Sequence, residues 1–290
     1  MRSNRTLARL RADEPVIGSW LQLNCPPATR LLAAQGLLDW LLVDFEHAPP
    51  DPLTAQILLG SIADVSGGRV TPLARAADAT MTAIELVLDC GAQGVIVPMV
   101  EDAETAARVV RSAHYPPGGE RGAGGLLPHL GLGTSRPQYL AEANREILVG
   151  IQIETAAAVE HLDDILAVPG LDLIFIGPND LHQSLGLPAQ FWSEHPLFLD
   201  AIARIQAAAG RRGLPVGTLS RNAKEAKARL EEGFRFIGLG SDAHFLLTFA
   251  GMEAGDVRGL PPPAGAWCDV VSFPSRSEAG QGLALERSAL

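Results

Sequence analysis

Four side chains of types that handle protons, oxyanions or metal ions stand where apolar runs of this sequence end: His47 after LDWLLVDFE, Arg75 after TPLA, Glu154 after LVGIQI and Asp180 after LIFIGPN. An imidazole moves protons near neutral pH. A guanidinium binds and stabilises oxyanions. Carboxylates take protons or ligate a hard divalent cation. Asp44 and Gln152 lie on the same run ends, Asn179 adjoins Asp180, and Trp20, Gln22 and Asn24 close the first run. Each has a plainer explanation. Glu154 or Asp180 could cap a helix or turn, Arg75 could form a surface ion pair, and His47 could be a hydrogen-bonded structural histidine. Four independent structural roles need not gather at one place. Cys25 is better read as a small buried residue. His114, His161, His182, His195 and His244 fall on helical or loop patterns and are assigned no chemistry.

The elements that position these residues are strands alternating with helices. Eight apolar, β-prone runs occur at residues 16–23, 38–45, 69–75, 94–100, 147–154, 171–177, 214–220 and 234–240. Several are apolar almost throughout, as strands covered on both faces are. Helical patterns fill the gaps at 28–35, 52–65, 80–89, 103–113, 156–166, 196–211, 223–232 and 243–249. Eight strand–helix units in about 250 residues predict an α/β fold, a (β/α)₈ TIM barrel, in which chemistry sits at the C-terminal ends of the strands. An open doubly wound sheet would carry a Gly-rich turn after its first strand, and GSWLQLNCPPA is not one. Residues 115–146 read as a long loop insertion. The Pro-, Ser- and Gly-rich residues 261–290 read as an extended or mobile tail after a single barrel domain at 1–260.

Composition narrows the function. A net charge of −10 without a Lys/Arg run argues against nucleic acid. No apolar run reaches the roughly 18 residues of a membrane span, and the basic N-terminus lacks an apolar signal core. Cys25, Cys90 and Cys268 show neither disulfide nor zinc spacing. A reduced, cytoplasmic setting is therefore expected.

The segments DFEHAPPD, IQIET and FIGPNDL, with GAQGVIVPMVEDAETA and YPPGGERGAG in support, resemble the HpcH/HpaI aldolase family of class II pyruvate aldolases, in order from about Gly18 to Asp242. The resemblance implies a barrel of the phosphoenolpyruvate/pyruvate-lyase type that cleaves 4-hydroxy-2-oxo acids reversibly to pyruvate, or hydroxypyruvate, and an aldehyde. It implies that Glu154 and Asp180 ligate a divalent cation (Mg²⁺, Mn²⁺ or Co²⁺). His47, supported by Asp44, would belong to the acid–base machinery, and Arg75 would sit near the carbonyl oxygen. Gln152 would line the pocket, the backbone around Asn179 and Asp180 would hold the carboxylate, and Trp20 would form part of the wall. It also implies a homo-oligomer, often a hexamer. The chain departs from the family where Phe45 replaces a common Gly, Glu120 replaces an aromatic, and LLPHLGLGTSRPQY follows GERGAGG; that loop is expected to touch the aldehyde.

An aldolase stabilises an enolate through either a lysine Schiff base or a Lewis acid. Of 23 basic residues only Lys224 and Lys227 are lysines, both on a polar helical stretch and neither at a strand end, so the metal route is favoured. Competing functions are a citrate-lyase-like lyase or hydrolase of acyl esters on the same scaffold, and a non-catalytic ligand-binding barrel. The set His47, Arg75, Glu154 and Asp180 argues against the second.

Overall fold

A computed structural model describes residues 1–259 of the chain. Its elements run α1 (Arg5–Arg11), β1 (Val16–Leu21), α2 (Pro26–Gln35), β2 (Trp40–Asp44), α3 (Pro52–Ser66), β3 (Thr71–Arg75), α4 (Met81–Asp89), β4 (Gly94–Val97), α5 (Ala103–Ala113) and α6 (Arg136–Glu146). They continue with β5 (Leu148–Ile153), α7 (Ala156–Glu160), α8 (Leu162–Ile165), β6 (Leu173–Ile176), α9 (Pro178–Ser184), α10 (Pro196–Arg212), β7 (Val216–Ser220), α11 (Ala223–Glu231), β8 (Phe236–Ser241) and α12 (Asp242–Val257). The eight strands are parallel and close as a barrel in sequence order, β1 pairing with both β2 and β8. All eight expected strands are present. No described helix is long and apolar enough to cross a membrane.

Alternation along the strands separates two cores. Residues facing outward from the strands pack under the helices in one large cluster, among them Leu41, Val43, Val95, Ile151, Ile153, Ile174 and Ile176. Residues facing inward (Val16, Trp20, Trp40, Leu42, Leu73, Ile96, Leu148, Leu173, Phe175 and Phe236) fill the barrel. Trp40 stacks on Phe236 at 4.2 Å between centroids and meets Trp20 edge-on at 5.2 Å. Such rings need room from the neighbouring strand, and a Cβ on Gly18, paired with Trp40, would collide with the Trp40 ring and carbonyl. Leu7 and Leu10 of α1 join this inner cluster and close the end where the strands begin. Beyond the aromatic filling, at the opposite end where the strands finish, buried polar and charged groups gather.

Helix boundaries follow local chemistry. Asp51, Thr80, Asp102, Thr155 and Asn222 each accept a first-turn N–H at a helix start. The helical pattern at 156–166 resolves into two short helices, α7 and α8, with His161 between them. The pattern at 243–249 continues to Val257.

One expectation changes. The insertion at 115–146 is not structureless: it contains a 3₁₀ turn, Leu130–Leu132, and the helix α6, whose Ser135 cap accepts the Gln138 N–H and whose Pro137 suits a first-turn position. Arg121, buried, pairs with Asp89 at 2.7 Å and lies over the Tyr115 ring. The Gly122 N–H donates to Glu85, and the Leu132 carbonyl accepts the Arg2 N–H. Burying the Arg121 guanidinium requires these partners, and they hold the insertion on the outer helical layer and the N-terminal segment.

The compact barrel unit spans Met1–Ala243, and a second unit begins at His244. The described part of that second unit is the remainder of α12 and the turn ending at Gly259. The expected tail at 261–290, with Cys268, lies outside the described residues.

Candidate active site

At the finishing end of the strands the inward positions become polar. On β2 the series Trp40, Leu42, Asp44 leads to Glu46; on β3, Leu73 leads to Arg75; on β5, Leu148 and Gln152 lead to Glu154; on β6, Phe175 leads to Gly177 and then Asp180. Asp44, Arg75, Gln152 and Glu154 are all buried. Trp20, 3% exposed and packed on Trp40 and Phe175, lies beneath them as a floor.

Arg75 is gripped on one edge. Its Nε donates to Asp44 Oδ1 at 2.9 Å and its Nη2 to Asp44 Oδ2 at 2.6 Å. Its Nη1 reaches Glu46 Oε2 at 2.8 Å and Gln152 Oε1 at 3.4 Å. Burial alone would push the Asp44 carboxyl up, but the Arg75 hydrogen bonds and charge, with the His47 and Glu46 backbone N–H groups, outweigh it and hold it below the usual range. Asp44 therefore supports His47 through the main chain, accepting its N–H at 3.3 Å. The imidazole itself is half exposed, with Nε2 at 4.0 Å from Glu46 Oε2.

Glu154 sits in the opposite electrostatic condition. Its Oε1 accepts the Met99 N–H at 2.8 Å, and its Oε2 accepts from Gln152 Nε2. Burial, then the negative charges of Glu46 and Asp180, raise its carboxyl to about 7 against the lowering pull of those hydrogen bonds. Its place against β6 is fixed by a missing side chain: a Cβ on Gly177 would collide with Glu154 Oε2. Gly177 is three residues before Asp180, so the Glu154 carboxylate lies against the start of the turn that carries Asp180. Asp180 is partly buried in the first turn of α9, beside Asn179.

Three residues escaped the sequence reading. Glu46 lies two positions beyond Asp44 and so on the same inward series, a signal that strand alternation could have supplied. Burial, offset by Arg75, raises its carboxyl, as do Asp44 and Asp180. Met99 holds φ at 55°, left-handed for a non-glycine residue, a conformation that costs about 1 kcal/mol; the sequence carries no sign of it, and its N–H is spent on Glu154. The third is His182, fully buried on α9.

The donor set suits a hard divalent cation. Among the described residues no three His, Cys, Asp or Glu side chains converge closely enough to ligate one ion, and Glu46 is engaged by Arg75. What remains is a pair of carboxylates, Glu154 and Asp180, whose mutual repulsion a cation would relieve, with the remaining positions open to substrate and water oxygens.

Residues 17–248 match the family profile described as HpcH/HpaI aldolase/citrate lyase. The chain is 40% identical over 259 residues to a 4-hydroxy-2-oxovalerate aldolase of Novosphingobium aromaticivorans, covering 87% of this chain and 92% of that one. It is 35% identical over 262 residues to a hydroxypyruvate/pyruvate aldolase of Paraburkholderia phytofirmans, covering 88% and 98%. A crystal structure of an HpcH/HpaI aldolase/citrate lyase family protein from Burkholderia cenocepacia superposes with a TM-score of 0.81 at 33% identity, over 88% of this chain and all of that one.

Proposed function

Because this chain belongs to the HpcH/HpaI aldolase/citrate lyase family, we propose that it is a class II aldolase that reversibly cleaves small 4-hydroxy-2-oxo acids to pyruvate, or hydroxypyruvate, and an aldehyde. Its relatives carry aldolase names of that kind. Class II aldolases of this family are generally dependent on a divalent metal. The observation that carries the reading is the Glu154 carboxylate, buried, raised toward neutrality and seated where Gly177 has no side chain, beside the Asp180 turn.

Glu154 and Asp180 would hold the cation, whose chemistry when bound is Lewis-acid polarisation of the 2-oxo group. The backbone around Asn179 and Asp180 receives the substrate carboxylate. Arg75, fixed by Asp44, directs its guanidinium toward the carbonyl oxygen, where negative charge develops. His47 takes the proton from the 4-hydroxyl. The C3–C4 bond then breaks, C4 leaves as the aldehyde, and the bonding electrons pass through C3 toward the 2-oxo oxygen as an enolate. Returning a proton to C3 gives pyruvate. Glu46, between Arg75 and His47, steadies both without being consumed. The aromatic floor under Trp20 keeps bulk water from the base of the site.

The test is pyruvate release from a panel of 4-hydroxy-2-oxo acids and acyl-CoA esters, before and after EDTA, with Mg²⁺, Mn²⁺ or Co²⁺ added back. Aldol cleavage that chelation abolishes and metal restores is expected. Cleavage unaffected by exhaustive chelation, or confined to acyl-CoA esters, would contradict the proposal.

A further inference from the structure

His182 stands on a sequence pattern that carries no sign of chemistry, yet its surroundings tie it to the carboxylate pair. His182 is fully buried on α9, two residues past Asp180. Its Nδ1 lies 2.7 Å from the Pro178 carbonyl and its Nε2 2.8 Å from Ser193 Oγ. A carbonyl only accepts, so Nδ1 carries a proton and donates it. Nε2 can then accept the Ser193 hydroxyl, whose oxygen itself accepts the His195 N–H at 3.3 Å. Every member of this chain has the partner its chemistry needs. The imidazole also stacks on Phe198 of α10 at 3.9 Å, and Trp192 meets Phe198 edge-on at 5.2 Å.

The bonded chain thus runs from the start of α10, through Ser193 and His182, to the Pro178 carbonyl. Pro178 lies between Gly177, against which Glu154 rests, and Asp180. α9 is a single short helix of seven residues, and a helix that short has little stability of its own. Something outside it must fix the orientation of its first turn.

We infer that His182 is a positioning residue: by donating from Nδ1 to the Pro178 carbonyl while anchored on Ser193 and Phe198, it sets the turn that presents Asp180 to the same ion as Glu154. The inference rests on the two-carboxylate reading above. His182 touches neither substrate nor metal. Its effect passes through main-chain placement, as that of partners behind metal ligands does.

The experiment is a titration of metal-free protein with Mn²⁺, read by the loss of free-ion signal in electron paramagnetic resonance, on wild type, His182→Phe, His182→Asn, Ser193→Ala and Asp180→Asn. Phe keeps a ring on Phe198 but removes both hydrogen bonds. Asn places an amide N–H where Nδ1 stood and gives up the ring. The Mn²⁺ dissociation constant should rise about tenfold in His182→Phe, with a smaller rise in Ser193→Ala, and His182→Asn should recover most of the loss. Packing alone would give the reverse order, Phe tolerated and Asn not. Folded His182→Phe that binds Mn²⁺ within twofold of wild type, or His182→Asn no better than His182→Phe, overturns the inference. Should His182→Phe fail to fold, Ser193→Ala decides, and unchanged affinity there overturns it. Asp180→Asn separates the two levels. If it binds Mn²⁺ like wild type, the two-carboxylate reading and this inference both fall. If it loses the ion while the His182 variants do not, only the inference falls.

Discussion

The β2–β3 side of the barrel mouth and the β5–β6 side both bury carboxylates, in opposite company. On the first, Asp44 faces the fixed fork of Arg75, and its carboxyl is held down. On the second, Glu154 accepts N–H groups from Met99 and Gln152 and feels Arg75 only at a distance, with further acid nearby, and its carboxyl is pushed up to about 7. A completed ion pair marks a part whose job is to hold a guanidinium still. On the proposed function, the incomplete one is the place where a cation is added. Glu46 bridges the halves, ion-paired with Arg75 and felt by Glu154.

That division of labour can be broken one side at a time. The largest effect is expected from Glu154→Gln, which removes one of the two proposed ligands. Since metal polarisation contributes several kcal/mol to the transition state, kcat should fall roughly 10³-fold or more, measured as pyruvate release at saturating Mg²⁺. Arg75→Lys keeps the charge but loses the fork. Its kcat should fall by about 10²–10³-fold, and the loss should persist however much metal is added. Gly177→Ala puts a methyl group where Glu154 Oε2 lies, and a misplaced ligand should lower kcat/KM on the order of 10²-fold; activity near wild type would show that Glu154 can rest elsewhere.

Asp44→Asn tests the balanced side through stability. Removing one partner of a buried pair costs about 3–5 kcal/mol, and the sign of its pH dependence is fixed. Asp44 titrates below its ordinary 3.8 in the folded chain, so its stabilisation is complete above that value and is lost as pH falls through the folded pKa. The Tm gap between wild type and Asp44→Asn should be constant from pH 8 to 5 and should narrow only in stronger acid. The smallest effect should come from Cys90, away from both halves between α3 and α4. Burial raises its thiol to about 11, so it should react slowly with a disulfide reagent at pH 8, and Cys90→Ala should change kcat/KM by less than about twofold.

The barrel was legible because strands covered on both faces are written as continuous apolar runs, such as LLVD and LIFI, and their polar ends could be lined up once the barrel was inferred. His47, Arg75, Glu154 and Asp180 emerged that way. What stayed hidden depends on tertiary contacts. α1 seals the barrel with Leu7 and Leu10, but seven residues with two leucines give no clear period. α6 is polar and shows itself only by its Ser135 cap. Nothing in GGERGAGG announces that Arg121 will be buried against Asp89 and Tyr115. His182 sits on a helix too short to recognise, and its role exists only because Ser193 and Phe198 return to it from further along the chain.

The most direct test is Mn²⁺ titration of metal-free Glu154→Gln and Arg75→Lys side by side with wild type. Glu154→Gln should lose the high-affinity ion while Arg75→Lys retains it within about threefold, although both are nearly inactive. Glu154→Gln binding Mn²⁺ as tightly as wild type, or Arg75→Lys losing it equally, would contradict the assignment of the cation to the β5–β6 side.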